Sequence, residues 1–272
     1  MSGSGRWLLE VGLAVILIAR PASAEQIQPV EVEVGGRTVH ALCTDGPRRV
    51  VLLQGESDDA ESWRPVLDRL GPGSGACAYD RLWVGAPGEG RGWFELLDEL
   101  HDVHRALGFR QGYVLVGYSV GGLYARLLAM DRPRDVGGLV LVDPVHEDMP
   151  EEAKRGMPAD AWSAWMAKRL LPNADGVREI ELARHARRGH LPDIPVTVIT
   201  AMARRDGDGF DARYLREAAR RVHASILDGV RQARHVPANG SGHDVPRVAP
   251  DLVASEIARM VRLTLDPRFS IR

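Results

Sequence analysis

The feature that most restricts the fold of this chain is a set of short runs with almost no polar member. Val50-Val-Leu-Leu53, Tyr113-Val-Leu-Val116, Leu139-Val-Leu-Val142 and Val196-Thr-Val-Ile199 lack the in-and-out alternation of a strand with one wet face. Strands of this kind must be covered on both sides, the condition of a parallel sheet between two layers of helix. Between the runs the spacing turns helical: Trp63, Val66, Leu67 and Leu70 share one face of a helix predicted over Ala60 to Leu70. Further helices are predicted over Trp93 to Leu107, Gly121 to Met130, about Asp211 to Val222, and Val248 to Leu265. Strands are also predicted at Ile27 to Val34 and Arg37 to Cys43, paired about Gly35-Gly36, then at Ala76 to Tyr79 and near Arg234 to Val236. Repeated strand-helix units make the fold class α/β with a mostly parallel sheet.

The length, 272 residues, suits one large α/β domain. With 35 Lys and Arg against 37 Asp and Glu, the formal charge is −2, which argues against nucleic acid as the main partner. Arg187-Arg188, Arg204-Arg205 and Arg220-Arg221 read as solvated helix faces. At the N-terminus, Arg6 precedes the apolar stretch Val11 to Ala19, followed by the small-x-small triplet Ala22-Ser23-Ala24. The stretch is shorter than the roughly 20 residues needed to cross a bilayer. The expectation is therefore a signal peptide over residues 1–24, cleaved after Ala24, with residues 25–272 forming a secreted or periplasmic domain without a stable membrane span; Glu10 and Arg20 fit that pattern least well. In an exported protein the two cysteines, Cys43 and Cys77, suggest a bridge, subject to whether the fold makes their strands neighbours.

The regular alternation breaks between Asp143 and Pro195. Trp162, Trp165, Met166, Leu170 and Leu171 recur there at helical spacing, punctuated by Pro150, Pro158 and Pro172. Such a stripe commonly packs into a core. Placed after the C-terminal end of a strand, where open α/β sheets bind ligands, it reads instead as a small helical lid over about residues 146–190.

The chemical centre is Gly117-Tyr118-Ser119-Val120-Gly121, a full G-x-S-x-G between a buried strand and a helix. Glycine on either side lets the chain turn sharply enough to lift the Ser119 hydroxyl off the sheet, with the Val120 N–H and the helix N-terminus facing the same point. The plainer reading is a serine that merely caps the helix. Serine needs a base, and of nine histidines His243 is the candidate. It lies in Asn239-Gly-Ser-Gly-His-Asp244, between the last strand and the last helix, at the same rim of the sheet. His101 and His104 lie on a helix, His223 at the end of one and His40 in an early strand.

With Val50-Val-Leu-Leu-Gln-Gly55, Ala-Cys-Ala-Tyr-Asp-Arg81, Leu-Val-Gly-Tyr-Ser-Val-Gly-Gly-Leu-Tyr-Ala-Arg126 and Leu-Val-Leu-Val-Asp-Pro-Val-His-Glu-Asp148, the chain resembles the α/β-hydrolase superfamily, in particular bacterial exported esterase-like serine hydrolases. The resemblance spans about Ile27 to Leu265. It implies the α/β-hydrolase fold, an eight-stranded sheet with helices on both faces, and a second strand beside the fourth, which puts a Cys43–Cys77 disulfide within reach. It also implies the chain order serine, acid, histidine, and an acid at one of two places. One is the end of the strand after the nucleophile helix, here Asp143; the other is the loop after Val196 to Ile199, which offers Asp206 and Asp208, with Asp206 two residues late. Asp143 is the preferred acid and Asp206 the alternative.

The loop after the third strand usually reads His-Gly and gives one N–H to the oxyanion hole; here Gln54-Gly55-Glu56 assigns the hole to the N–H groups of Glu56 and Val120. The Glu56 carboxylate is expected to face solvent, toward an Arg. The implied activity is hydrolysis of a small carboxylic ester, one with an apolar group if the lid tryptophans line the site, through an acyl-enzyme. No metal or organic cofactor is called for. Epoxide and haloalkane cleavage use a carboxylate at the elbow, where this chain has Ser119. An amidase, peptidase or lactonase fits the same residues, and a binding protein on a hydrolase scaffold is the alternative from another class.

Overall fold

The computed structural model describes residues 27–82, 89–203 and 210–266. The expected signal peptide and the alternative acids Asp206 and Asp208 lie outside the described residues. Eight strands form one sheet: β1 (Ile27–Val34), β2 (Arg37–Thr44), β3 (Val50–Leu53), β4 (Ala76–Tyr79), β5 (Tyr113–Tyr118), β6 (Val136–Val142), β7 (Val196–Ala201) and β8 (Ala233–Ala238). Their order is β1-β2-β4-β3-β5-β6-β7-β8, antiparallel from β1 to β4 and parallel from there on.

The apolar runs behave as expected, for every residue of β3, β4, β5, β6 and β7 is buried. At the edges, β1 and β8 keep a partly exposed pattern. Successive residues of a strand serve opposite faces. Val51, Leu53 and Leu115 join Leu97 and Leu100 of α2 (Trp93–Ala106) and Leu123 and Leu127 of α3 (Val120–Asp131) in one core. Val50, Leu52 and Val114 join Val66 and Leu67 of α1 (Arg64–Leu70) with Val253 and Ile257 of the C-terminal helix in the other. Since full burial of such a side chain stabilises by about 1.5–3 kcal/mol, the five central strands dominate the stability of the sheet.

The helix predicted over Ala60 to Leu70 is divided, and the last one begins at Pro250. A 3-10 turn, Ala60–Trp63, precedes α1, opened by Asp59, whose side chain accepts from the Ser62 N–H. At the other end of the chain, α8 (Val245–Val248) stops before α9 (Pro250–Leu265). The cause is Pro250, whose ring excludes the preceding residue from the helical region; Ala249 sits at φ −130°, ψ 54°.

The insertion after β6 holds α4 (Met149–Gly156), α5 (Ala159–Arg169) and α6 (Glu179–Ala186), and α7 (Phe210–Ser225) follows β7. The tryptophan stripe does not fill a core, because no residue of α5 is buried. Cations cover its rings, Lys154 over Trp162 and Arg169 over Trp165, while Leu170 and Leu171 are more than half exposed. β2 lies beside β4 with Cys43 opposite Cys77, and the two are joined in a disulfide. Among the described residues no helix is long and apolar enough to cross a membrane.

Candidate active site

Ser119 sits between β5 and α3 at φ 54°, ψ −122°, a region that side-chain-bearing residues rarely enter and that costs of order 1–3 kcal/mol. Its neighbours make this turn possible. A Cβ on Gly117 would fall 2.3 Å from the Gly121 carbonyl oxygen, and one on Gly121 would fall 2.5 Å from the Gln54 oxygen. Backbone bonds hold the turn: the Ser119 N–H donates to Val142 O at 3.0 Å, and its carbonyl accepts from Gly122 N and Val145 N at 3.0 and 2.9 Å.

Asp143 follows β6 directly, also at positive φ (41°), and is 5% exposed. Its N–H donates to Ile199 O at 2.7 Å, and its Oδ1 accepts from Ala201 N at 3.0 Å, so the tip of β7 fixes it twice. His243 is brought in by the loop after β8, which is tied to the end of β7 because Met202 N and Ala203 N both donate to Ser241 O. The imidazole has Nδ1 2.7 Å from Asp143 Oδ2 and Nε2 3.0 Å from Ser119 Oγ.

An ionised carboxylate can only accept, so Nδ1 carries the proton and Nε2 is left as the acceptor facing the serine hydroxyl. The carboxyl group is held in that ionised state. Burial pushes its pKa up, but the hydrogen bond from His243, the electrostatic attraction of the His223 and His243 rings, and the Ala201 N–H outweigh burial and leave it below the ordinary carboxylate value.

Two residues beside Asp143 were not singled out as site residues from the sequence. Arg216 Nη1 lies 3.4 Å from Asp143 Oδ2. His223 is 2% exposed; its Nε2 bonds Pro144 O at 2.8 Å and its Nδ1 bonds Thr200 Oγ1 at 2.9 Å. Burial lowers the His223 pKa to about 4, so the ring is neutral. The seven-residue spacing of Arg216 and His223 puts them on one face of α7, and His223 lies in its last turn as expected.

The Gln54-Gly55-Glu56 loop lies across the elbow. A Cβ on Gly55 would meet the Tyr118 ring at 3.0 Å. Glu56 is exposed, and its carboxylate accepts from the backbone Ala174 N at 3.3 Å. Among the described residues no group of three or more His, Cys, Asp or Glu side chains could hold a metal ion.

The profile of the family described as alpha/beta hydrolase fold matches residues 48–228. The chain is 24% identical over 217 residues to the uncharacterized protein YqjL of Bacillus subtilis (strain 168), covering 75% of this chain and 79% of that protein. Solved structures with the same fold include the following two. The haloalkane dehalogenase DbeA of Bradyrhizobium elkani USDA94 has a TM-score of 0.59 at 16% identity, covering 88% of this chain and 98% of its own. The carboxylesterase CesB of Bacillus subtilis has a TM-score of 0.54 at 16% identity, with coverage of 86% and 91%.

Proposed function

Because this chain belongs to the alpha/beta hydrolase fold family, we propose that it is a serine hydrolase that cleaves carboxylic esters through an acyl-enzyme. The observation that carries the reading is one unbroken line of hydrogen bonds, Asp143 Oδ2 to His243 Nδ1 at 2.7 Å and His243 Nε2 to Ser119 Oγ at 3.0 Å. In this reading Ser119 Oγ attacks the ester carbonyl carbon while its proton passes to His243 Nε2. Asp143 holds the imidazole and offsets the charge of the imidazolium. The N–H groups of Val120 and Glu56 meet the oxygen that becomes negative. Collapse of the tetrahedral intermediate expels the alcohol, which takes the proton from Nε2. Water, deprotonated by the same nitrogen, then attacks the acyl carbon; collapse breaks the bond to Ser119 Oγ, which takes the proton back from Nε2 as the acid is released.

A serine at the elbow supports esters over the halide chemistry of the dehalogenase that shares the fold. Residues 146–190 act as a lid, and exposed Leu170 and Leu171 suit substrates with an apolar group. A chain-length series of p-nitrophenyl esters tests this; preference for acetate over every longer chain would sink the apolar part. The disulfide supports secretion or residence in the periplasm; the mature N-terminus of the exported protein should be Glu25.

The direct test uses a fluorophosphonate probe and p-nitrophenyl acetate. Wild type should be labelled at Ser119 and turn over the ester, and Ser119→Ala should lose labelling and more than about 10⁴-fold of the turnover. An unlabelled wild type, or equal turnover by Ser119→Ala, would instead mark a binding protein on this scaffold.

A further inference from the structure

We propose that Arg81 and Asp175 form a buried positioning pair that orients the oxyanion loop and makes the lid turn part of the catalytic geometry; this rests on the serine-hydrolase reading above. Arg81 lies just beyond β4, and the side chains of Arg81 and Asp175 are each 5% exposed. Its guanidinium makes three bonds in different directions. Nε donates to Asp175 Oδ1 at 2.5 Å, Nη1 to the Gln54 carbonyl at 2.8 Å and Nη2 to the Gly55 carbonyl at 2.7 Å.

A trans peptide points its C=O and its N–H in opposite directions. Capture of the Gly55 carbonyl by Arg81 therefore turns the Glu56 N–H away from Arg81, and capture of the Gln54 carbonyl does the same for the Gly55 N–H. The segment between β3 and the 3-10 turn has no ladder to fix its peptide planes. Rotating either plane would break a charge-assisted bond inside the protein, among the stronger kinds. A planar guanidinium supplies such a fork and a lysine ammonium does not.

Asp175 keeps the fork in place and carries the connection further. Its Oδ2 accepts from the Tyr124 hydroxyl on α3 at 2.9 Å, and that hydroxyl accepts from Asn173 Nδ2 at 2.8 Å. Asn173 and Asp175 belong to the turn closed by the Pro172–Arg178 bridge. The same turn gives its Ala174 N–H to the Glu56 carboxylate at 3.3 Å. The loop proposed to hold the developing oxyanion is thus gripped from the Arg81 side and from its own side chain by one lid turn, and the pair reaches the helix that carries Ser119 at its start. A buried ion pair is a weak source of stability compared with apolar residues of the same shape. What it offers here is direction, the property an oxyanion hole needs.

The experiment compares an ester with its thionoester, in which C=S replaces C=O. Sulfur is a poor hydrogen-bond acceptor, so the thionoester draws little help from the hole but needs the same serine and histidine. Arg81→Lys, Asp175→Asn and the double variant Arg81→Met/Asp175→Leu are assayed, each after its fold is verified by thermal unfolding. The double variant leaves no lone buried charge and serves if a single one does not fold. The expected result is a loss of about 10–100-fold in kcat for the ester with KM within about 3-fold, and a thionoester rate within about 3-fold of wild type. Equal slowing of both substrates, or an unchanged ester rate, overturns the proposal while Ser119 keeps its probe labelling. A wild type that neither reacts with the probe nor cleaves any ester overturns the parent reading, and this one with it.

Discussion

Asp143→Asn exchanges one carboxylate oxygen for an NH2 group, and at this position both oxygens are accepting: Oδ1 from Ala201 N at 3.0 Å, Oδ2 from His243 Nδ1 at 2.7 Å. The amide can satisfy only one of them. With its oxygen toward Ala201, the NH2 faces Nδ1, which must become an acceptor; the ring proton moves to Nε2, and Ser119 meets a donor in place of a base. With its oxygen toward His243, the NH2 faces the Ala201 N–H, a buried donor left unpaired at about 1–3 kcal/mol. Arg216, 3.4 Å from Oδ2, favours the second arrangement, but that contact is long and partly exposed, so the buried N–H decides. In both arrangements the imidazolium loses its anionic partner. The expected loss in kcat is about 10⁴-fold, equivalent to about 5.5 kcal/mol of barrier. Steady-state hydrolysis of p-nitrophenyl acetate reads it, with a thermal melt to verify folding. Asp206→Asn is expected to keep most of the turnover. A loss below about tenfold for Asp143→Asn, or a larger loss for Asp206→Asn, would refute the reasoning.

Two further outcomes concern stability. Burial lowers the pKa values of His104, His146 and His223 to about 3, 4 and 4. Below the ordinary histidine value the unfolded chain binds protons that the folded one refuses, so stability falls with falling pH from about 6.5 to 4, by about 2 kcal/mol per histidine at pH 5; a denaturation midpoint unchanged between pH 7 and pH 5 would contradict this. The Cys43–Cys77 bridge closes a separation of 34 residues. By loop entropy it contributes about 4 kcal/mol, so a reducing agent should lower the denaturation midpoint, and Cys43→Ser with Cys77→Ser should abolish that sensitivity.

The sheet was legible because its evidence is local: a run such as Leu139-Val-Leu-Val142 carries its own statement that both faces are covered. The elbow was legible for the same reason, since strand, glycine, serine and glycine lie in one short segment. Asp143 was harder to choose, because its rank over Asp206 rests on contacts with residues 58 and 100 positions away, Ala201 and His243. Arg81 stood in plain view within Ala-Cys-Ala-Tyr-Asp-Arg81, but nothing local says that its partner is Asp175, 94 residues on. The last helix was placed from Val248 to Leu265, two residues ahead of its start at Pro250, the proline itself marking the boundary. The tryptophans of α5, set at helical spacing in the insertion, are half-buried, with Lys154 over Trp162 and Arg169 over Trp165.

The parts of the site are strung along one edge of the sheet by main-chain bonds. Ser119 N reaches Val142 O, Asp143 N reaches Ile199 O, and Ala203 N reaches Ser241 O, two residues before the histidine. Strand registration, which no surface side chain dictates, therefore sets the spacing of the three groups. The surrounding walls are free to be rebuilt for another substrate, while a slip of one residue between neighbouring strands would dismantle the arrangement at a stroke.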